Sequence, residues 1–155
     1  MKFVILDNVF EEKIRNNLNN FAYKGTNWYN LNSNFEQEKL LEIASKYFDL
    51  SKMVGYEMWS NTNSGYAPSW HYDKDEKLFR EKSILSFPLC SIVYYSEVTN
   101  LQGGDFITEN IALRPITNRA IFFSPGIYHH VFPYSGVRKT ISINPWNIIP
   151  SSYSQ

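Results

Sequence analysis

The sequence predicts a mainly β domain, with two N-terminal helices supporting a double-sheet jelly roll (a double-stranded β-helix). Three observations point there. Before residue 50, two segments repeat apolar residues at helical spacing. From about residue 53 onward, short alternating or apolar runs are separated by Gly, Pro and Asn, as in sandwiches and barrels. Aromatic residues make up 17% of the 155 residues, a bias that favours strands and pockets over surface helices. The length suits one domain over 1–155, with helical support at about 8–49 and a jelly-roll core at about 53–146.

The elements follow in chain order. KFVIL (2–6) reads as a short strand. Asn8 and Glu11 have capping-box spacing ahead of EEKIRNNLNNFA, where Ile14, Leu18 and Phe21 share a helical face. Residues 22–34 are rich in Asn, Gly and Ser and read as a loop. Asn34 and Gln37 repeat the capping-box spacing before EKLLEIASKYF, with Leu40, Leu41, Ala44 and Phe48 in register. MVGYEMW (53–59) alternates as a strand, NTNSGYAPS is a turn-rich loop, and WHYD begins another strand. KDEKLFREK is polar and fits a short helix or a mobile loop. SIVYYSEV, a Gly103-Gly104 turn, DFITENIALRP, RAIFFS and HHVFPYSGVRKTISINPW complete a set of roughly eight short strands.

Composition excludes several classes. Hydrophobic residues are 43% of the chain, which argues against disorder. The formal net charge is zero and no Lys/Arg run occurs, so broad nucleic-acid binding is not expected. The single cysteine, Cys90, has no partner for an intramolecular disulfide, which suits a reducing compartment. No stretch has the pattern of a signal peptide or a membrane span, so a cytoplasmic location is expected.

The chemistry lies in a few residues. In a strand, residues two apart point to one face, so His71 and Asp73 would project together. Alone, this pair is most simply a structural hydrogen bond. A third ligand would have to come from His129 or His130, the other histidines, which as strand neighbours face opposite ways. Two imidazoles and one carboxylate on one face of a metal leave open positions, as in non-haem Fe(II) oxygenases. Arg138 follows across an expected turn at 133–136, which would form a hairpin and bring it beside the histidine strand. Arg138, Thr140 and Ser142 then share a face. An arginine inside a sandwich needs an anion, either an internal Asp or Glu or the carboxylate of a ligand.

Together these residues resemble the Fe(II)/2-oxoglutarate-dependent dioxygenases, within them the prolyl 4-hydroxylase-like group. The carrying motifs are His71-x-Asp73, then His129-x-x-x-Pro133, then Arg138, with ILDNVF, IVYYSEV followed by GGDF, and RPITNRAIFFSPG as further matches. The resemblance implies that His71, Asp73 and His129 hold Fe(II), leaving His130 structural or facing substrate. It implies that the distal carboxylate of 2-oxoglutarate meets Arg138, with Thr140, Ser142 and the Tyr95 hydroxyl nearby. The implied activity is O2-dependent hydroxylation of a C–H bond, with succinate and CO2 as coproducts. The substrate is a small molecule or peptide, a prolyl residue being one candidate. Asp73 stands where related halogenases carry a small residue, which favours hydroxylation. Arg138 in place of lysine departs from the collagen-type enzymes.

Two rival readings remain: a cupin-like metalloprotein of other activity, and a non-catalytic jelly-roll binding module. Trp59, Trp70, Tyr56 and Tyr66 surround the HxD stretch in sequence and suit either a substrate pocket or the core. Met58 and Trp59 face oppositely, so at most one points at the site. Residues from Lys74 onward form either a solvated face or a lid over the site.

Overall fold

The computed structural model describes residues 1–20, 27–31, 36–61 and 67–154. Six strands form the major antiparallel sheet, in the order β1 (Phe3–Leu6), β7 (Ala120–Phe123), β4 (Ser91–Gly103), β9 (Tyr134–Trp146), β3 (Gly55–Asn61) and β2 (Asn27–Asn30). Three short strands, β6 (Ala112–Leu113), β5 (Phe106–Thr108) and β8 (His129–Val131), form the minor sheet. The expected jelly-roll architecture of two antiparallel sheets is thus present.

The major sheet is covered on both faces, and side-chain parity sorts its residues between them. Tyr56 and Met58 of β3, Ile92 and Tyr94 of β4, Ala120 and Phe122 of β7, and Ile141 and Ile143 of β9 form one core. Against it pack Leu18 of α1 (Glu12–Asn19) and Leu40, Leu41 and Ala44 of α2 (Glu38–Ala44). The alternate residues look toward the minor sheet, where Tyr95, Ile121 and Phe123 meet Phe106 and Ile127. The helix side is mainly apolar, its tyrosine hydroxyls bonded to Asn118 and Glu38. The sheet-to-sheet side carries Ser91, Arg138, Thr140 and Ser142, all buried. Buried polar groups are costly unless hydrogen-bonded, so each of these needs a partner within the protein or on a ligand.

Several local expectations are corrected. Asn8 does not cap α1: its φ is +53°, and the N-cap is Glu11, with no side-chain cap bond. The chain just before the N-cap is instead tied down by Asn118. Its Oδ1 accepts from Phe10 N at 3.1 Å and from the Tyr94 hydroxyl at 2.8 Å, and its Nδ2 donates to the Phe10 carbonyl. Both helices are shorter than their apolar periodicity, ending at Asn19 and Ala44. Within the expected 22–34 loop lies β2, an edge strand paired with β3. Phe21, Asn34 and Tyr66 lie outside the described residues. WHYD is not a strand: only His71 makes a β-bridge, to His129.

The expected hairpin at 133–136 is also absent. Tyr134 and Ser135 already belong to β9, paired with Gly103 and Gln102 of β4, while β8 pairs with β5. The chain crosses there from the minor sheet to the major one. Arg138 therefore faces the histidine strand across the sandwich instead of lying beside it. Strands β4 and β9 run thirteen residues each, longer than the short strands expected, and β4 absorbs its twist in two register shifts. Among the described residues, no helix is long and apolar enough to cross a membrane.

Candidate active site

Three ligand-type side chains converge between the sheets. His71 Nε2 lies 3.5 Å and His129 Nε2 3.7 Å from Asp73 Oδ1, and the three candidate ligand atoms all lie within 4.8 Å of one another. The backbone sets this up: His71 and His129 exchange both N–H···O bonds of their bridge, at 2.9 and 3.0 Å. That brings their rings to 4.3 Å.

Each imidazole is oriented by its other nitrogen. Nδ1 of His71 donates to the Ser69 carbonyl at 2.6 Å, and Nδ1 of His129 to the Ile127 carbonyl at 2.8 Å. A carbonyl only accepts, so each Nδ1 carries a proton and each Nε2 is turned toward the cluster. Phe106 stacks on the His129 ring and Phe123 meets it edge-on. His130 points out of the sandwich, its ring 4.2 Å from Trp70 and 6.4 Å from Phe132. The geometry thus separates the two histidines that strand parity alone left equivalent.

The charges follow from burial and pairing. Burial works to raise the Asp73 pKa, but the His71 hydrogen bond, the adjacent His129 and the Ser91 hydroxyl outweigh it, leaving the carboxyl below its ordinary value. Burial works to lower His71, and there the bonds to Asp73 and the Ser69 carbonyl win, so His71 is raised. His129 is buried more deeply, and burial keeps it below the usual imidazole value despite Asp73. A divalent cation needs an ionised carboxylate and neutral imidazoles: Asp73 and His129 are biased toward those forms, whereas at His71 the cation would have to displace the proton that Asp73 favours.

The cluster opens into a cavity of about 490 Å³, with Arg138, Thr140 and Ser142 on its major-sheet wall. Arg138 is 4% exposed. Its Nε donates to the Gly104 carbonyl at 2.9 Å, its NH2 lies 3.5 Å from the Tyr95 hydroxyl, and its guanidinium sits over the Tyr95 and Tyr134 rings. Among the described residues no carboxylate lies within ion-pair distance of it, so the internal partner considered from sequence is not there. Burial raises the Tyr95 phenol pKa in spite of Arg138, so it remains a hydroxyl. Gly104, at φ +81°, lets the backbone reach Arg138: a Cβ there would stand 3.1 Å from the Arg138 Cδ.

The fold has known counterparts. A Pseudomonas putida prolyl-4-hydroxylase superposes with a TM-score of 0.65 at 13% identity, over 93% of this chain and 91% of that one. The chain has the fold of the prolyl 4-hydroxylases. A prolyl hydroxylase from Trichoplax adhaerens, solved with a hypoxia inducible factor oxygen degradation domain peptide fragment, gives 0.61 at 16% identity, over 99% and 87%. A 2OG-Fe(II) oxygenase family protein from Burkholderia pseudomallei gives 0.58 at 10%, over 94% and 84%. No protein-family model and no curated protein matches the sequence.

Trp59 lines the cavity while Met58 is buried under the helices; Tyr56 is core. Trp70 and Tyr72 face outward with Tyr128. Lys74 onward leads into α3 (Glu76–Lys82), which buries no residue but is anchored at its start. There Asp75 caps Leu78 N at 3.0 Å and accepts from Ser151 N at 2.6 Å. Sequence reasoning missed Ser91, whose hydroxyl donates to Asp73 Oδ2 at 2.7 Å. It also missed the carbonyls of Ser69 and Ile127, for which no sequence signal exists.

Proposed function

We propose that the chain is an Fe(II)- and 2-oxoglutarate-dependent dioxygenase that hydroxylates a C–H bond of a peptide or small molecule, with residues 1–155 acting as one catalytic unit in the cytoplasm. One observation carries the reading. A buried arginine with no carboxylate partner among the described residues shares a cavity with a His–Asp–His cluster. An unpaired buried cation is costly, and a ligand carboxylate relieves that cost.

The residues suit both groups. The two Nε2 atoms and Asp73 Oδ1 form the 2-His-1-carboxylate donor set associated with Fe(II). The guanidinium fork of Arg138 suits a carboxylate, and the Tyr95, Thr140 and Ser142 hydroxyls offer hydrogen bonds beside it. When bound, Fe(II) supplies activation of O2 and oxidative decarboxylation of 2-oxoglutarate to succinate and CO2, which together drive the hydroxylation. The protein's part is to orient the ligands through Ser69 and Ile127, to hold the cosubstrate by its far carboxylate, and to exclude water with Phe106, Val93 and Val131.

Substrate would enter past Trp59, Asn61 and Glu76, which also line the cavity. The peptide in the Trichoplax structure makes a prolyl peptide the first substrate to try. A cupin-like activity would not need Arg138, and a binding module would need neither the open Nε2 atoms nor a buried cation. The test is succinate formation from 2-oxoglutarate with Fe(II) and O2, screened against peptide and metabolite pools. No succinate above the metal-free background, together with no thermal shift on adding 2-oxoglutarate, would reject the proposal.

A further inference from the structure

Resting on the metal site proposed above, we infer that Ser91 is a positioning residue for the metal-binding carboxylate, dictating which oxygen of Asp73 is offered to the cation. Ser91 opens β4 and lies on its sheet-to-sheet face, with Val93 and Tyr95, by strand parity. It is 1% exposed. Its hydroxyl donates to Asp73 Oδ2 at 2.7 Å, a length typical of a hydroxyl bound to a charged acceptor. The other oxygen, Oδ1, faces both imidazoles. The two oxygens are therefore not equivalent: one is committed to the fold and the other is presented with the Nε2 pair.

The arrangement has two consequences. First, a short carboxylate beside a metal can chelate through both oxygens, consuming a position that the cosubstrates need. A serine bond to Oδ2 disfavours that mode and keeps Asp73 to one oxygen. Second, Asp73 does not sit in a regular strand, since only His71 makes a bridge. Its side chain is thus not held by the ladder that holds His129. Its other polar side-chain partners among the described residues are the two imidazoles, so Ser91 supplies an anchor that does not itself bind metal. Ser91 has a firm place to act from, because its own backbone is registered against Phe123 of β7 in the six-stranded sheet.

The experiment measures Co(II) binding to the full chain, by titration against a competing chelator and by the visible d–d spectrum, which responds to coordination number. Activity is not required. Ser91→Ala removes the hydroxyl. Ser91→Thr and Ser91→Val form a near-isosteric pair that differs only in hydroxyl against methyl, so any cost of extra volume in this buried position is shared. Loss of such an outer partner costs about 10–100-fold in metal affinity. Ser91→Ala and Ser91→Val are expected to bind Co(II) at least roughly tenfold more weakly with an altered d–d intensity, and Ser91→Thr to retain most of the wild-type affinity. Unchanged affinity and spectrum in Ser91→Ala would overturn the inference, as would equal losses in the Thr and Val variants. If wild type itself binds no Co(II) while remaining folded, the metal-site reading fails instead, and the two failures are distinct.

Discussion

Arg138→Met tests whether the buried cation serves a ligand or the fold. Met keeps most of the volume and removes the charge. A carboxylate held by two charge-assisted hydrogen bonds gains about 1.5–3 kcal/mol from each. Losing both costs about 3–6 kcal/mol, on the order of 10²–10⁴-fold in 2-oxoglutarate affinity. Folding should respond quite differently. Within the protein the guanidinium makes one short hydrogen bond, to the Gly104 carbonyl, and two aromatic contacts. Against these stands the cost of a buried cation with no carboxylate beside it among the described residues, so replacement by a well-packed apolar chain should change stability by only about 1 kcal/mol in either direction. The assay is calorimetric titration of 2-oxoglutarate into the Mn(II)-loaded protein under nitrogen, beside thermal melts of the metal-free protein. Ligand affinity should collapse while Tm moves by a few degrees and metal affinity holds. A variant that melts far below wild type, or that binds 2-oxoglutarate normally, would refute the reasoning and make Arg138 a structural residue.

Other outcomes follow from the same geometry. Gly104→Ala should lose about 1–2 kcal/mol of stability from the positive φ and should also weaken 2-oxoglutarate binding by crowding Arg138, read in the same two assays. His129→Ala should abolish metal binding in a chelator competition, whereas His130→Ala should leave it within about twofold, because His130 packs outward on Trp70. Equal losses in both would contradict the assignment. Asp7→Asn should flatten the acid limb of stability. Arg119 holds the Asp7 carboxyl below its ordinary value through bonds of 2.6 and 3.0 Å, so its contribution is present above the unfolded carboxyl pKa and disappears as pH falls through the lowered one. Melts of wild type and variant between about pH 2 and 5 should converge at the acid end, and high salt should shrink the difference because the pair is partly exposed.

Side-chain parity made much of this site legible before any coordinates. Arg138, Thr140 and Ser142 lie two apart, and a period of two survives any mistake about which strand they pair with. They therefore share the cavity wall even though the chain crosses between the sheets at 133–136 instead of turning back. Turn residues such as Pro133 and Gly136 mark a change of direction, but they do not say whether the next strand returns to its neighbour or crosses to the other sheet. His71 and Asp73 converge without a strand, because the single bridge to His129 is enough to orient them. The helix starts failed for the opposite reason. Capping-box spacing is a local signal, and ahead of α1 the chain is fixed instead by a distant residue, Asn118, through the Phe10 backbone, with no side-chain cap on the helix itself. Ser91 was invisible because its meaning lies wholly in a contact across the sandwich, with nothing in its neighbours to distinguish it from other strand serines. Cys90, beside it in sequence, belongs to the helix-side core, where burial pushes its thiol pKa up to about 12.

The most direct test of the account is a titration under nitrogen. Fe(II) is added to the protein first, then 2-oxoglutarate, while the visible spectrum is followed. An absorption band should appear only when both are present, saturate at one equivalent of each, and be lost in His129→Ala and greatly weakened in Arg138→Met. A spectrum that does not change on adding 2-oxoglutarate, with protein shown to be folded and iron shown to be bound, would contradict it.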